Sequence, residues 1–163
     1  MPMPDPLMDF LRQQKQDTQH RRENWVKIRE SWITDLRALM SQFKAWLKDA
    51  VAEQLLEVQE HEVPLSEDDL GTYNAPALTI SAPRARSVHI VPKARLIVGG
   101  QGRVDFECGP NRAKLIRVDK EHWKFVREDF SGAPLGRLSA PLKRTLADLS
   151  EQNFRETIRE LLA

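Results

Sequence analysis

One apolar stripe constrains the fold of this chain more than any other feature. Apolar side chains recur every three or four residues between positions 25 and 51, at Trp25, Ile28, Trp32, Leu36, Leu39, Phe43, Trp46 or Leu47, and Ala50 or Val51. Steps of three and four residues place side chains on one face of an α-helix. The stripe therefore predicts a long amphipathic helix from Trp25 to about Leu55. A helix of that length packs across a sheet, against another helix, or both.

The segment that precedes the stripe has a different composition. Asp5 followed by Pro6 suits a helix N-cap with proline at the first helical position. Residues 12–24 hold no aliphatic or aromatic side chain and are rich in Gln, Arg and Lys, which favour helix. This stretch is either an exposed helix or a flexible tether. We expect residues 1–24 to form a polar N-terminal arm beside a single folded domain of residues 25–163.

The middle of the chain changes to a two-residue alternation, which is typical of strands that are half-buried in a sheet. The clearest example predicts three buried side chains, Val104, Phe106 and Cys108, and three exposed ones, Arg103, Asp105 and Glu107. Shorter runs of the same kind lie at residues 78–81, 88–90, 96–98, 113–118 and 123–126. Short strands joined by short turns predict an antiparallel meander of six or seven strands.

A second helix is predicted at the end of the chain. Residues 129–141 are rich in glycine and proline and suit a long loop, with room for a short strand at Leu135–Leu138. Ser150 suits an N-cap, and an apolar stripe follows it at Phe154, Ile158, Leu161 and Leu162.

The predicted class is therefore α+β: a long N-terminal amphipathic helix, an antiparallel sheet or partly open barrel of six to seven strands, and a short C-terminal helix. This order of elements is similar to the pleckstrin-homology-like architecture, a likeness of architecture that implies no function.

Composition limits the classes of function without naming one. The 163 residues are 40% hydrophobic and 30% charged, which is ordinary for one globular domain. A net charge of +1 favours no class of charged partner. Cys108 is the only cysteine, so we interpret it as a core residue and expect no internal disulfide. The sequence shows no signal peptide and no apolar run long enough to span a membrane, which indicates a cytoplasmic protein.

Basic residues are concentrated in the predicted sheet. Residues 75–102 contain no acid but four cations, Arg84, Arg86, Lys93 and Arg95. On neighbouring strands these side chains would form a basic face that meets the phosphates of nucleic acid or another anionic ligand. The alternative is a solvated surface whose charges protect strand edges from aggregation. The aromatic residues available to stack on bases, Phe106, Trp123 and Phe125, are assigned to the core by alternation.

An apolar cluster lies at the start of the arm and consists of Leu7, Met8, Phe10 and Leu11. It either folds back onto the domain or forms a docking helix that inserts into a groove of a protein partner. The sequence leaves both alternatives open.

No motif identifies a reaction. The four histidines and Cys108 lack the spacing of metal ligands, so we expect no metal and no cofactor. Asp105 and Glu107 would stand about 7 Å apart on one strand face, a separation that two-carboxylate chemistry can use. Alternating charge on an exposed strand is the more common reason for such a pair.

We therefore predict a non-catalytic, cytosolic protein-interaction module that binds a protein partner, with self-association through the N-terminal helix as one form of that interaction. The alternative is nucleic-acid or anionic-ligand binding through the basic strand face around Arg84–Arg95. A third hypothesis is an enzyme of unrecognised type.

Overall fold

The computed structural model describes residues 3–84, 86–129 and 143–163. Its elements follow in the order α1 (Pro6–Trp46), α2 (Lys48–Ala52), β1 (Glu57–Glu67), β2 (Gly71–Ser81), β3 (Ser87–Ala94), β4 (Arg103–Cys108), β5 (Asn111–Arg117), β6 (Trp123–Asp129), β7 (Lys143–Asp148) and α3 (Glu151–Leu162). A long N-terminal helix, a seven-stranded antiparallel open sheet and a short C-terminal helix confirm the α+β prediction. Over these ranges, no helix combines the length and the apolar character that crossing a membrane would take.

Helix α1 begins at the predicted cap. The carboxylate of Asp5 accepts hydrogen bonds from the backbone nitrogens of Leu7 and Met8 at 3.1 and 3.4 Å, and Pro6 is the first helical residue. The helix then continues without a break through residues 12–24, so this stretch is an exposed helix and not a tether. The N-terminal arm and the apolar stripe therefore belong to one helix of 41 residues.

Helix α1 ends at Trp46, and after the single residue Leu47 the short helix α2 continues to Ala52, close to the predicted end near Leu55. Nη1 of Arg155 donates a hydrogen bond to the carbonyl oxygen of Trp46 at 2.9 Å. This nitrogen also lies 3.0 Å from Oδ1 of Asp49. A guanidinium on the last carbonyls satisfies groups that a helix end leaves open. This contact comes from α3, more than a hundred positions away, and local spacing does not reveal it.

The sheet is a simple meander in which each strand pairs with its sequence neighbour, with β1 and β7 at the two edges. Its register aligns a row of buried side chains across four strands: Leu78 lies opposite Ile90, Ile90 opposite Phe106, and Phe106 opposite Ala113. Cys108 belongs to the same buried set, as the alternation predicts.

Both α1 and α3 pack on this core. The ring of Phe43 in α1 stacks on that of Phe154 in α3, with centroids 4.6 Å apart. Phe106 of β4 meets both rings edge-on, at 5.6 and 6.0 Å. Ser150 caps α3 by accepting a hydrogen bond from the backbone of Asn153, which confirms the predicted cap. One aromatic cluster thus joins the two helices to the sheet.

The strand predicted at residues 96–98 is absent from the structure. β3 ends at Ala94, and Ile97 makes only an isolated bridge to Gly100. The carboxylate of Glu67 accepts hydrogen bonds from the backbone nitrogens of Arg95 and Leu96, which holds the chain in a turn here instead of in a ladder. The short strand considered at Leu135–Leu138 lies outside the described residues.

Asp105 is buried, although alternation predicts it on an exposed face. Its carboxylate accepts two hydrogen bonds from the guanidinium of Arg103, from Nε at 2.7 Å and from Nη2 at 2.8 Å. The alternation correctly places Asp105 on the face of β4 opposite to Val104 and Phe106. It does not predict that a paired guanidinium on the same face covers the carboxylate.

Candidate functional site

The first candidate site is the helical part of the N-terminal arm, Pro6–Asn24. Every residue from Met3 to Asn24 is exposed, so this part of α1 projects from the folded body. At about 1.5 Å per residue it extends for about 28 Å. The predicted docking residues Leu7, Met8, Phe10 and Leu11 lie at its far end, with exposed fractions between 42% and 62%. The apolar cluster therefore does not pack on the folded body.

Charge is distributed unevenly along the arm. Two acids, Asp5 and Asp9, accompany the apolar cluster at the tip. The rest of the arm carries four cations, Arg12, Lys15, Arg21 and Arg22, against two acids, Asp17 and Glu23. Packing on the core begins at Trp25, which is half-buried. The arm is thus an apolar, acidic tip on a basic stem.

The four basic residues predicted as an anion site do not converge. Arg84 and Arg86 lie in the connection between β2 and β3, outside any strand. Lys93 is near the other end of β3, and Arg95 follows that strand. Eight residues of β3 span about 26 Å, which separates the two pairs. Lys93 also forms an ion pair with Glu107, with Nζ 3.1 Å from Oε1.

Arg95 instead belongs to a second candidate site, a cavity of about 240 Å³ between α1 and one end of the sheet. The residues that line it are Lys27, Ile28, Ser31, Asp35, Arg95, Gln101, Arg117 and Lys120. Four of them are cations and one is a carboxylate. We call this site the basic cavity.

Arg117 forms the inner wall of the basic cavity. Its guanidinium carbon lies 4.8 Å from the centroid of the Trp32 indole and 5.7 Å from that of Trp123. Its Nη1 lies 2.5 Å from Oδ2 of Asp35, and its Nε donates to the backbone oxygen of Gln101 at 3.1 Å. Two aromatic faces, an ion pair and a backbone bond hold this cation in one orientation.

A chain of hydrogen bonds supports the same region. Nε1 of Trp32 donates to the hydroxyl oxygen of Tyr73 at 3.1 Å, and that hydroxyl donates to Oε2 of Glu67 at 2.5 Å. The other oxygen of Glu67 accepts from the backbone of Arg95. Burial, followed by the hydrogen bond and negative charge of Glu67, raises the pKa of Tyr73 well above its usual value. Helix α1 and the connection from β3 to β4 are thereby joined.

The glycine-rich turn after β3 fits closely against this network. A Cβ on Gly102 would lie 2.4 Å from two ring atoms of Trp32, and one on Gly100 would lie 2.9 Å from the backbone oxygen of Arg117. Only glycine allows such close approach of the backbone to its neighbours. The turn serves packing around Trp32 and Arg117.

Sequence reasoning missed most of the basic cavity, although two signals point to it. Arg117 continues the inward set of β5 after Ala113 and Leu115, so it is a charge at a buried position. Lys27, Ser31 and Asp35 are spaced by four and share one face of α1. Lys120 and Gln101 come from separate turns and have no such signal.

The carboxylates considered for catalysis are both occupied by cations, Asp105 by Arg103 and Glu107 by Lys93. Among the residues that the structure describes, no group of three or more histidine, cysteine or acidic side chains could hold a metal ion. Comparisons with models of protein families, with curated proteins and with solved structures found no match. Function is therefore inferred from the two candidate sites.

Proposed function

We propose that the protein is a cytoplasmic, non-catalytic interaction module whose N-terminal arm binds the arm of a second copy. One observation carries this proposal: the helical part of the arm, Pro6–Asn24, stands clear of the body with Leu7, Met8, Phe10 and Leu11 exposed at its tip. An isolated helix of this length is only marginally stable in water, because most helical stability comes from packing of an apolar face. A helical partner supplies that packing.

Charge complementarity favours a second copy as the occupant. In an antiparallel pair, the acidic tip of each arm, with Asp5 and Asp9, lies beside the basic stem of the other, with Arg21 and Arg22. Opposite charges at the edges of a helix pair select orientation and partner. A parallel pair places like charges together and lacks this advantage.

The same arrangement gives the apolar tip a surface to contact. Val26 is exposed and Trp25 is only half-buried, and both lie where the arm joins the body. Antiparallel pairing brings the tip of each arm toward these residues of its partner. In this antiparallel pair, apolar groups lie at both ends of the overlap and polar groups lie between them.

The anion-binding alternative receives less support from the geometry. It would need Arg84, Arg86, Lys93 and Arg95 on one surface, and they lie toward opposite ends of β3. We therefore rank self-association first.

Sedimentation velocity of the full chain tests the proposal over about 1 to 100 µM. The test variant is Leu7→Ser with Phe10→Ser, which removes apolar area from the tip at exposed positions. The control is Val98→Ser, since Val98 is fully exposed on the body and lies outside the arm. Near-ultraviolet circular dichroism, which follows the packed tryptophans of the body, establishes that all three proteins keep the folded domain.

We expect the native protein and the control to reach dimer mass as concentration rises, and the double variant to remain monomeric. A native protein that stays monomeric throughout the range contradicts self-association. Dimers that persist in the double variant contradict the role of the tip.

A further inference from the structure

We infer that the basic cavity binds a phosphate monoester, with Lys27, Arg95, Arg117 and Lys120 as the groups that recognise the dianion. This inference is independent of the proposed function, because the cavity belongs to the folded body and uses no residue of the arm.

The charge around the cavity is unbalanced. Four cations and one carboxylate line it, and Asp35 already pairs with Arg117. In the part of the chain that the structure describes, the side chains of Lys27, Arg95 and Lys120 have no ion-pair partner. Four cations against one lining carboxylate leave the cavity with a net positive charge, which attracts an anion from solution.

Like-charge repulsion within the cavity also favours the binding of an anion. Burial lowers the pKa of Arg95 from its usual value, and the positive charge of Arg117 lowers it further. Glu67 and Asp35 act in the opposite direction with smaller effects. A bound dianion would relieve the repulsion between these two guanidinium groups.

The guanidinium of Arg117 has a fixed orientation in the cavity. Its guanidinium contacts the rings of both Trp32 and Trp123, while Nε and Nη1 bind Gln101 and Asp35. Over the described ranges these are the hydrogen bonds of its side chain, and no buried side-chain nitrogen lacks a partner. Arg117 lines the cavity, so its remaining donor, Nη2, is the group that a ligand would meet. A cation held in place before binding loses little conformational entropy when the ligand arrives.

The hydrogen-bond donors of the cavity match a phosphate monoester. A phosphate monoester carries close to two negative charges at neutral pH and three terminal acceptor oxygens. Arginine and lysine side chains supply charge-assisted donors, while Ser31 and Gln101 add uncharged hydrogen-bonding groups. A monocarboxylate would leave most of the positive charge unbalanced. A volume of about 240 Å³ exceeds the roughly 30 Å³ of one water several times, so a small ester fits.

Calorimetric titration with glycerol phosphate tests the inference on the full chain at low ionic strength. Inorganic phosphate and malonate, a dicarboxylate, are titrated in parallel at matched ionic strength. A further arm uses neutral phosphatidylcholine vesicles with and without phosphatidic acid, whose headgroup is also a phosphate monoester. The soluble and vesicle arms distinguish a free ester from a lipid headgroup as the source of the same chemical group.

The test variant is Lys27→Gln with Lys120→Gln, because both side chains are exposed and their loss does not disturb the core. The matched control is Arg37→Gln with Lys48→Gln, two exposed cations away from the cavity that change the net charge equally. We expect the test variant to weaken phosphate-ester binding by about tenfold or more, and the control to stay within about twofold.

Equal binding by the test variant and the control overturns the inference, as does equal affinity for malonate and glycerol phosphate. A native protein that binds neither the soluble ester nor the phosphatidic acid vesicles also overturns it. Unchanged near-ultraviolet circular dichroism in both double variants shows that a lost affinity is not a lost fold.

Discussion

The guanidinium of Arg117 lies over the indole ring of Trp32, with its central carbon 4.8 Å from the ring centroid. On the same side of the sheet, the ring of Trp123 lies 6.0 Å from that of Trp32 and 24° from parallel. The core of this protein therefore ends in a cation bounded by two tryptophans. Helix α1, the sheet and the basic cavity meet at this point, where Asp35 forms an ion pair with Arg117.

Replacing Trp32 with Ala tests the contribution of this junction to stability. Trp32 is fully buried and contacts Gly102 and Arg117, so we expect the free energy of unfolding to fall by about 3–5 kcal/mol. Urea denaturation measures the loss. The matched control is Trp25→Ala, since Trp25 is only half-buried and its removal costs less. A loss below about 1 kcal/mol at Trp32 would show that the indole is not a core group.

Asp35→Asn tests the ion pair with Arg117. The side chain of Arg117 is 3% exposed and that of Asp35 is 39% exposed, so the cation depends on its partner more than the carboxylate does. We expect the free energy of unfolding to fall by about 2 kcal/mol, the range for a hydrogen bond to a charged group. Asp17→Asn on the exposed arm should change it by less than about 0.5 kcal/mol. Equal effects of the two substitutions would contradict a structural role for Asp35.

The alkaline titration of Tyr73 reports on the hydrogen-bond chain to Glu67. Tyr73 is the only tyrosine, so the near-ultraviolet absorbance of tyrosinate follows this residue alone. Burial and Glu67 raise its pKa above the usual value near 10, and we expect tyrosinate to appear only well above that pH in the folded protein. Glu67→Gln removes the charge and should bring the midpoint closer to 10. A native midpoint near 10 would contradict the buried, hydrogen-bonded hydroxyl.

The same shift has a consequence for stability. Folding raises the pKa of Tyr73, so the folded state holds this proton more tightly than the unfolded state does. The stabilisation is complete below about pH 10 and is lost progressively as pH rises above that value. Urea denaturation at several alkaline pH values should therefore show a steeper loss of stability in the native protein than in Tyr73→Phe.

Deletion of residues 1–24 tests whether the body folds without the arm. Residues from Met3 to Asn24 make no packing contribution to the core, so we expect the truncated chain to melt within about 3 °C of the Leu7→Ser, Phe10→Ser variant. That variant is the appropriate reference because it keeps the arm but lacks the apolar tip. A decrease of 10 °C or more, roughly, would mean that the arm supports the fold directly.

The periodicity of the sequence predicts the elements that bury an apolar face. The three- and four-residue steps from Trp25 to Phe43 predict the body of α1, and Val104, Phe106 and Cys108 predict the buried side of β4. Local caps at Asp5 and Ser150 are also read correctly, because each involves residues only two or three positions apart.

Features that depend on distant partners are not predicted. Arg155 of α3 donates a hydrogen bond to the last carbonyl of α1, and Glu67 at the end of β1 accepts hydrogen bonds from the backbone of residues 95–96. The basic cavity has the same origin, because its cations come from α1 and from three separate parts of the sheet region. Periodicity reports which side of an element is buried, and it carries no information about which elements meet.

Amide hydrogen exchange of the arm at rising protein concentration tests self-association most directly. In a monomer the amides of residues 12–24 belong to an exposed helix without tertiary packing and exchange rapidly. We expect their exchange to slow markedly between about 1 and 100 µM, while the amides of β4 and α3 keep the same rates. Exchange of the arm that does not change with concentration would contradict the proposal that one arm binds another.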